Sequence, residues 1–354
     1  MFAKRFQHLG EIERKRIVMP DNTRMRLNRL ERPQPWEEEL QRRIVELYRA
    51  DQIQQYPNYQ PFYEQLAAFA GCETDEIVVG AGIEEFIRNL FMLCIEPGDK
   101  VAYLWPTCAM FDVYARVFQA DSVRIVTDLR PPIGAVVAND LIKKLPPDLR
   151  LLILAHPGQP VENMFSRRDI MHIADACRDR DAVLALDEAY YGFGSHTEIN
   201  RPRYHSNVVV LRTFSKAFGA ASIRLGYAIG KGEIIHALNA VRQSGEVSAF
   251  SMHAASVLMK HHESHVKPAI RDICDGRDWL RAMVQEELGL KAWGYHANHV
   301  LIEMPNAAEV AGRLADKGVL VKAGFPAPID SHMLVTCGNR ELMTTFCAEL
   351  MAAL

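Results

Sequence analysis

Long apolar runs and an excess of charge of one sign are both missing from this sequence. No segment approaches the roughly 20 consecutive apolar residues that a membrane-spanning helix needs. The 41 basic and 44 acidic side chains nearly cancel over 354 residues and are spread along the chain, which leaves no basic face for the phosphates of nucleic acid. We therefore expect neither a membrane protein nor a nucleic-acid-binding protein.

Paired cysteines and several common site motifs are also missing. The seven cysteines are scattered, with no C-x-x-C pair, so we expect reduced thiols rather than a disulfide framework. The start of the sequence lacks the apolar core of a secretion signal, which makes the cytosol the expected location. No Gly-x-Ser-x-Gly occurs, which leaves a serine hydrolase without support. The run from His261 to His265 has two histidines one helical turn apart but no evident third ligand, and no metal site is predicted.

Apolar runs do alternate with amphipathic segments between about residues 56 and 230, a pattern typical of strands joined by crossover helices. The pattern predicts an α/β fold with a mostly parallel, buried seven-stranded sheet and helices on both faces. Helices are predicted from Gly82 to Cys94 and from Asp169 to Arg178. The predicted strands are 77–79, 101–104, 123–126, 151–154, 183–186, 208–211 and 227–229.

A smaller α+β unit is predicted beyond Gly230. A long helical pattern runs to about Lys260, and the order from about Lys291 onward is strand, strand, helix, strand, strand, helix. The first residues resemble an extended arm that begins a helix near Trp36. We therefore expect an arm belonging to the small domain at 1–44, a large domain at 45–245 and a small domain at 246–354.

Lys216 is the most informative residue of the sequence. It follows an apolar strand, with hydroxyl groups on Thr213 and Ser215 and a second cation on Arg224 close by. A lysine in this setting can form an imine with an aldehyde while its neighbours bind a phosphate. Pyridoxal 5′-phosphate, which has both groups, is the predicted cofactor.

A carboxylate and a phenol follow another predicted strand. Asp187 at the end of a parallel strand would face the crevice in which ligands of α/β sheets bind. A carboxylate beside a pyridine nitrogen keeps that nitrogen protonated, so that the ring can accept electrons. Tyr190 could then donate to the ring's phenolate oxygen. The alternative for Asp187 is a helix cap or turn.

A glycine-rich turn provides a second contact for the phosphate. Gly82 opens a helix after a predicted strand, so that the N–H groups of Ile83 and Glu84 can cradle a phosphate together with Thr213, Ser215 and Arg224. The turn lacks the third glycine of a dinucleotide fingerprint and the Gly-Lys-Ser/Thr ending of a P-loop. The sequence therefore predicts neither a dinucleotide-binding motif nor a P-loop.

Taken in order, these segments resemble the fold-type-I pyridoxal-phosphate enzymes, and most closely the class II aminotransferases of the histidinol-phosphate aminotransferase kind. The resemblance implies an aspartate-aminotransferase-like large domain, with Lys216 as the imine lysine and proton carrier. It also implies that Asp187 pairs with the pyridinium, Tyr190 and Gln159 with the ring oxygen, and that Tyr56 reaches the phosphate bound by a neighbouring subunit of a homodimer. The segments are Leu27–Pro33, Tyr56-Pro57, Gly82–Glu85, Pro106-Thr107, Pro157–Pro160, Asp187–Tyr190, Ser215–Arg224 and Thr336–Gly338.

Three positions depart from the pattern of that family. Cys108 stands where the family has an aromatic residue stacked on the cofactor ring, and a thiol covers less of the ring. Gln159 replaces an asparagine in a turn that reads Gln-Pro-Val-Glu instead of Asn-Pro-Thr-Gly. Leu334 replaces the arginine that grips the substrate's α-carboxylate. Lys322 and His332 are the candidate substrate contacts in its place, with the arm residues Arg24, Arg26 and Arg29 as further cations.

The leading functional hypothesis is an aminotransferase for a small amino compound, phosphorylated or lacking the usual α-carboxylate. A decarboxylase, an elimination or cyclisation enzyme, or an oxidase would use the same cofactor core, because the substrate contacts decide which bond breaks. A non-catalytic regulator is a third alternative, but forty residues of arm are too few for a DNA-binding module.

Overall fold

A seven-stranded sheet forms the centre of the larger part of the protein. The computed structural model describes residues 8–9, 12, 19–46, 54–129 and 136–354. In spatial order the strands of this sheet are β2, β8, β7, β6, β5, β3 and β4, and only β8 runs antiparallel to its neighbours. The predicted mostly parallel α/β sheet is therefore confirmed. The bounds are β2 Ile77–Gly80, β3 Lys100–Trp105, β4 Asp121–Val126, β5 Leu149–Ala155, β6 Val183–Asp187, β7 Val208–Thr213 and β8 Gly226–Ile229.

Both faces of the sheet are covered by helices. Its inner strands read as continuous apolar runs because side chains on both faces are buried, as in β7, where Val208 to Leu211 are fully buried. One face packs against apolar residues of α3, α4 and α7, and the other against those of α5 and α6. The helices are α3 Ile83–Cys94, α4 Ala109–Val117, α5 Ala138–Lys144, α6 Arg167–Arg178 and α7 Glu233–Val241.

A smaller antiparallel sheet lies in the C-terminal part. Its strand order is β12, β10, β9, and the short strand β11 pairs instead with β1 of the arm. The predicted order of strands and helices after residue 291 is confirmed, whereas the boundaries at residues 44 and 245 stay predictions. The remaining elements are β1 Met25–Arg26, β9 Lys291–Trp293, β10 His299–Glu303, β11 Val319–Leu320, β12 His332–Thr336, α1 Glu38–Glu46, α2 Gln60–Ala70, α8 Ala249–Lys260, α9 Lys267–Glu286, α10 Ala307–Asp316 and α11 Arg340–Met351.

The helical pattern predicted from Gly230 to Lys260 is two helices rather than one. Helix α7 ends at Val241, and α8 begins after Ser248, whose hydroxyl accepts the backbone N–H of Ser251 at 3.1 Å. A serine at this position satisfies an amide of the first turn and fixes the helix start. No helix in the described part of the chain is long and apolar enough to cross a membrane.

The topology brings the predicted site residues to one edge of the large sheet. Strands β3, β5, β6 and β7 are parallel, and β2 has the same direction because both β2 and β7 pair antiparallel with β8. Their carboxyl ends therefore lie at the same edge, where ligands of α/β sheets bind. Cys108, Gln159, Asp187, Thr213 and Gly82 all lie at or just beyond these ends.

Candidate active site

Lys216 lies half-buried at this edge of the sheet. Its Nζ donates to the backbone carbonyl of Arg29 at 3.3 Å and lies 5.9 Å from the ring centre of Tyr190. Burial disfavours the ammonium form and lowers the pKa of Lys216 to about 8. About a tenth of the amine is then neutral at pH 7, so the side chain can act as a nucleophile and a base.

Asp187 is the buried carboxylate of the same cluster. It ends β6, is 7% exposed, and accepts the backbone N–H of Ala189 at 3.0 Å. Desolvation raises the pKa of Asp187 to about 6, although the nearby Lys216 charge opposes this change. A cationic ring nitrogen placed beside this carboxylate would restore its ionised form.

A buried ion pair fixes the turn that follows Asp187. Glu188 accepts two hydrogen bonds from Arg212, at 3.0 and 2.9 Å, and one from the hydroxyl of Thr197 at 2.8 Å. The backbone N–H of Glu188 donates to Leu211 on the neighbouring strand. These bonds hold the segment between Asp187 and Tyr190 in one conformation, with Tyr190 itself buried.

The residues predicted to bind the phosphate lie close together in the structure. Gly82 has a φ of +89°, and a Cβ built on it would lie 3.0 Å from Nη2 of Arg224. The hydroxyls of Thr213 and Ser215 are 3.0 Å apart. Helix α3 begins at Ile83 and continues through Glu84, and amides in the first turn of a helix need acceptors from outside that helix. The residues predicted to bind phosphate are therefore neighbours.

Cys108 and Gln159 lie beyond the ends of β3 and β5 at the same edge of the sheet. Desolvation raises the pKa of the Cys108 thiol, and the charges of Asp187, Lys322 and Lys216 act on it. The thiol therefore lies within the cluster. The Oε1 atom of Gln159 is buried and has no hydrogen-bond partner among the described residues, which leaves this amide available to a bound group.

The structure separates the candidate substrate contacts. His332 is buried against Trp293, with ring centres 6.1 Å apart, and the charges that act on it come from Glu303, Asp330 and Lys291 rather than from the Lys216 cluster. The prediction that His332 contacts the substrate is therefore not supported. Alternation along a strand places His332 and Leu334 on the same face of β12, but it does not tell which of the two positions lies near the site.

Lys322 and Arg29 do lie at the site. Desolvation and the positive charge of Arg29 lower the pKa of Lys322, and Lys322 in turn acts on Cys108. No acidic side chain of the described chain forms an ion pair with either cation. Arg24 and Arg26 instead pair with Glu349 and Glu31, respectively. Leu334 is fully buried in the apolar core.

Tyr56 is 90% exposed, and a Cβ built on Gly245 would lie 3.7 Å from its ring. The structure also shows two residues that sequence reasoning missed. Glu162 binds the backbone of residues 295–297, and His299 lies beside Tyr190. The signal for Glu162 was an acidic residue where the family has a glycine. His299 gave no signal, because a histidine inside an apolar strand is usually part of the core.

Comparisons with known proteins agree with this geometry. A sequence model of the family described as "Aminotransferase class I and II" matches residues 27–350. A histidinol-phosphate aminotransferase of Aquifex aeolicus is 31% identical over 349 residues, covering 97% of this chain and 96% of that protein.

Two solved structures share the fold. The histidinol-phosphate aminotransferase of Sinorhizobium meliloti in complex with pyridoxal-5′-phosphate has a TM-score of 0.88 at 19% identity, covering 100% of this chain and 98% of that one. An aspartate aminotransferase variant of Thermus thermophilus has a TM-score of 0.80 at 22% identity, covering 100% and 99%. The resemblance predicted from the motifs is confirmed: the chain belongs to the class I and II aminotransferases, and its cofactor is pyridoxal 5′-phosphate.

Proposed function

We propose that this aminotransferase acts on a small phosphorylated amine, with Lys216 as its catalytic lysine. The observation that carries the proposal is that the half-buried Lys216 and the buried Asp187 carboxylate lie in one cluster, where desolvation lowers the pKa of the lysine to about 8 and raises that of the aspartate to about 6. Such perturbed groups at a ligand-binding edge are typical of catalytic sites.

The residues present fit the cofactor. The close approach of Gly82 to Arg224 and the paired hydroxyls of Thr213 and Ser215 suit a phosphate. The buried Asp187 suits a pyridinium nitrogen, and the phenol of Tyr190 and the NH2 group of Gln159 are donors of the kind that the ring oxygen accepts. When bound, pyridoxal phosphate supplies an aldehyde for the amine of Lys216 and a ring that withdraws electrons from the substrate's α-carbon.

The proton chemistry belongs to Lys216. Its Nζ is neutral in a substantial fraction near pH 8, so it can accept a proton from the substrate's α-carbon and later return one. The burial of Asp187 excludes water from the carboxylate and strengthens its attraction for a cation. Cys108 takes part in no proposed proton transfer, since burial raises the pKa of its thiol.

The substrate class follows from the cations of the site. No guanidinium stands at position 334 to clamp an α-carboxylate, whereas Arg29 and Lys322 lie near Lys216 without carboxylate partners among the described residues. Histidinol phosphate, which gives the relatives their name, is an amine with a phosphate ester and no carboxylate. A pair of cations fits its phosphate dianion.

A homodimer with shared sites is part of the proposal. Tyr56 is 90% exposed. An exposed tyrosine of this kind is typical of an interface, and the Tyr-Pro motif implies contact with the phosphate of a neighbouring subunit. The solution mass of the purified protein tests this part. The cytosolic location stays a prediction.

The test is a single-turnover assay of the holoenzyme with histidinol phosphate and with histidinol. We expect the phosphorylated amine to bleach the visible absorbance at far lower concentration. Lys322→Ala or Arg29→Ala should raise the KM for the phosphorylated amine about 10- to 150-fold, the range of one charge-assisted hydrogen bond. Lys143→Ala, at an exposed position of α5, is the control. Equal activity on both amines would refute the phosphate assignment, and a product that retains its nitrogen would refute transamination.

A further inference from the structure

The turn that carries Gln159 is bound to the smaller sheet by a carboxylate. Glu162 accepts N–H groups from three consecutive residues just before β10: Tyr295 at 2.8 Å, His296 at 3.0 Å and Ala297 at 2.9 Å. Hydrogen bonds to an ionised acceptor are about twice as strong as neutral ones. Glu162 therefore joins the loop after β5 to the segment between β9 and β10.

The amides that Glu162 binds are themselves held in place. Arg277 of α9 is 4% exposed, and its Nη1 donates to the carbonyl of Ala297 at 2.8 Å and to that of Phe193 at 2.9 Å. The turn that carries Gln159 is itself closed by a hydrogen bond of 3.3 Å from the N–H of Gly158 to the carbonyl of Asn163. Glu162 thus connects two rigid segments.

His299 provides a second connection a few residues later. Its ring is fully buried on β10, with Nε2 3.3 Å from the carbonyl of Pro160. Burial lowers the pKa of His299, so the ring is neutral and donates one hydrogen. The same ring packs edge-on against Tyr190, with centres 5.8 Å apart. His299 therefore contacts the turn of Gln159 and the ring of Tyr190 together.

We propose that Glu162 and His299 are positioning residues, which hold Gln159 and Tyr190 where both donate to the ring oxygen of the cofactor. The proposal rests on the function proposed above. A glutamine has one rotatable bond more than the family's asparagine and is costlier to fix in one rotamer. Contacts with the smaller sheet at Pro160 and Glu162, just after Gln159, offset part of that cost.

The pH dependence of the bound cofactor's visible absorbance tests this role. Donors to the ring oxygen stabilise its anion and lower the pH midpoint of the absorbance change. Glu162→Ala should raise that midpoint by about half a pH unit to one pH unit, which corresponds to one weakened hydrogen bond. Glu162→Gln should give an intermediate midpoint. The new side chain keeps one acceptor oxygen, but its NH2 group faces the backbone N–H groups of residues 295–297 and cannot accept from them.

Glu303→Gln is the matched control, since Glu303 lies on β10 but pairs with Lys291 at the surface. It should leave the midpoint unchanged. If Glu162→Ala and Glu162→Gln lower only the melting temperature and leave the midpoint at the wild-type value, the positioning role is wrong. A wild-type protein that gains no visible absorbance with pyridoxal phosphate would instead refute the function proposed above.

Discussion

Replacing Asp187 by asparagine should make the cofactor-free protein more stable at neutral pH. The carboxylate has a pKa of about 6 in the folded chain, against 3.8 for an ordinary aspartate, because folding removes it from water. At 1.36 kcal/mol per pH unit, the ionised side chain destabilises the folded apo-protein by up to about 3 kcal/mol. Asparagine has nearly the same shape, can still accept the N–H of Ala189, and carries no charge.

The sign of the effect sets its pH range. A carboxyl whose folded pKa is raised contributes no destabilisation below about pH 3.8, where it is protonated in both states. Its unfavourable contribution grows as the pH rises from there through about 6 and is constant above. The stability advantage of Asp187→Asn should therefore be full at pH 7.5 and absent near pH 4.

Urea unfolding of the apo-proteins at pH 7.5 and pH 4 measures this difference. Asp148→Asn is the control, because Asp148 is exposed and its hydrogen bond with Lys100 lowers its pKa, so the replacement should not stabilise the protein. If Asp187→Asn is only as stable as the wild type at pH 7.5, or less stable, the ionised carboxylate of Asp187 does not destabilise the folded protein and the reasoning is refuted. The same variant should bind pyridoxal phosphate more weakly, since it loses the partner of the ring nitrogen.

Three further predictions concern other parts of the site. In the apo-protein, pulse reductive methylation read by mass spectrometry should give Lys216 a labelling midpoint near pH 8, and a midpoint above about 9.5 would contradict the burial argument. Glu188→Ala leaves Arg212 buried without its carboxylate and should lower the free energy of unfolding by about 3–5 kcal/mol; a loss under about 1 kcal/mol would show that the pair is solvated. Gly82→Ala places a methyl group 3.0 Å from Arg224 in a left-handed conformation, so the cofactor's dissociation constant should rise, and equilibrium dialysis that finds it unchanged would contradict the cradle.

The strands of the large sheet were predictable because their signal is local. In β7, four consecutive apolar residues are fully buried, and a strand buried on both faces leaves this pattern in the sequence. The break between α7 and α8 was missed, since the pattern of apolar residues continues across a turn that Ser248 ends by capping the next helix. Among the candidate substrate contacts, Lys322 lies near the Lys216 cluster whereas His332 does not, and no local pattern of residues distinguishes the two.

The sequence by itself predicts the chemistry of this protein, because a lysine, a carboxylate and a proposed phosphate cradle each follow a predicted strand, and a leucine occupies position 334. Only the tertiary structure shows which of the candidate cations lie near Lys216 and which distant residues connect the turn of Gln159 to the smaller sheet. Arg29 comes from the arm, and Glu162 and His299 connect the large sheet to the small one over more than 130 residues of chain. Contacts of that kind depend on how separate elements pack, and no local pattern of residues records them.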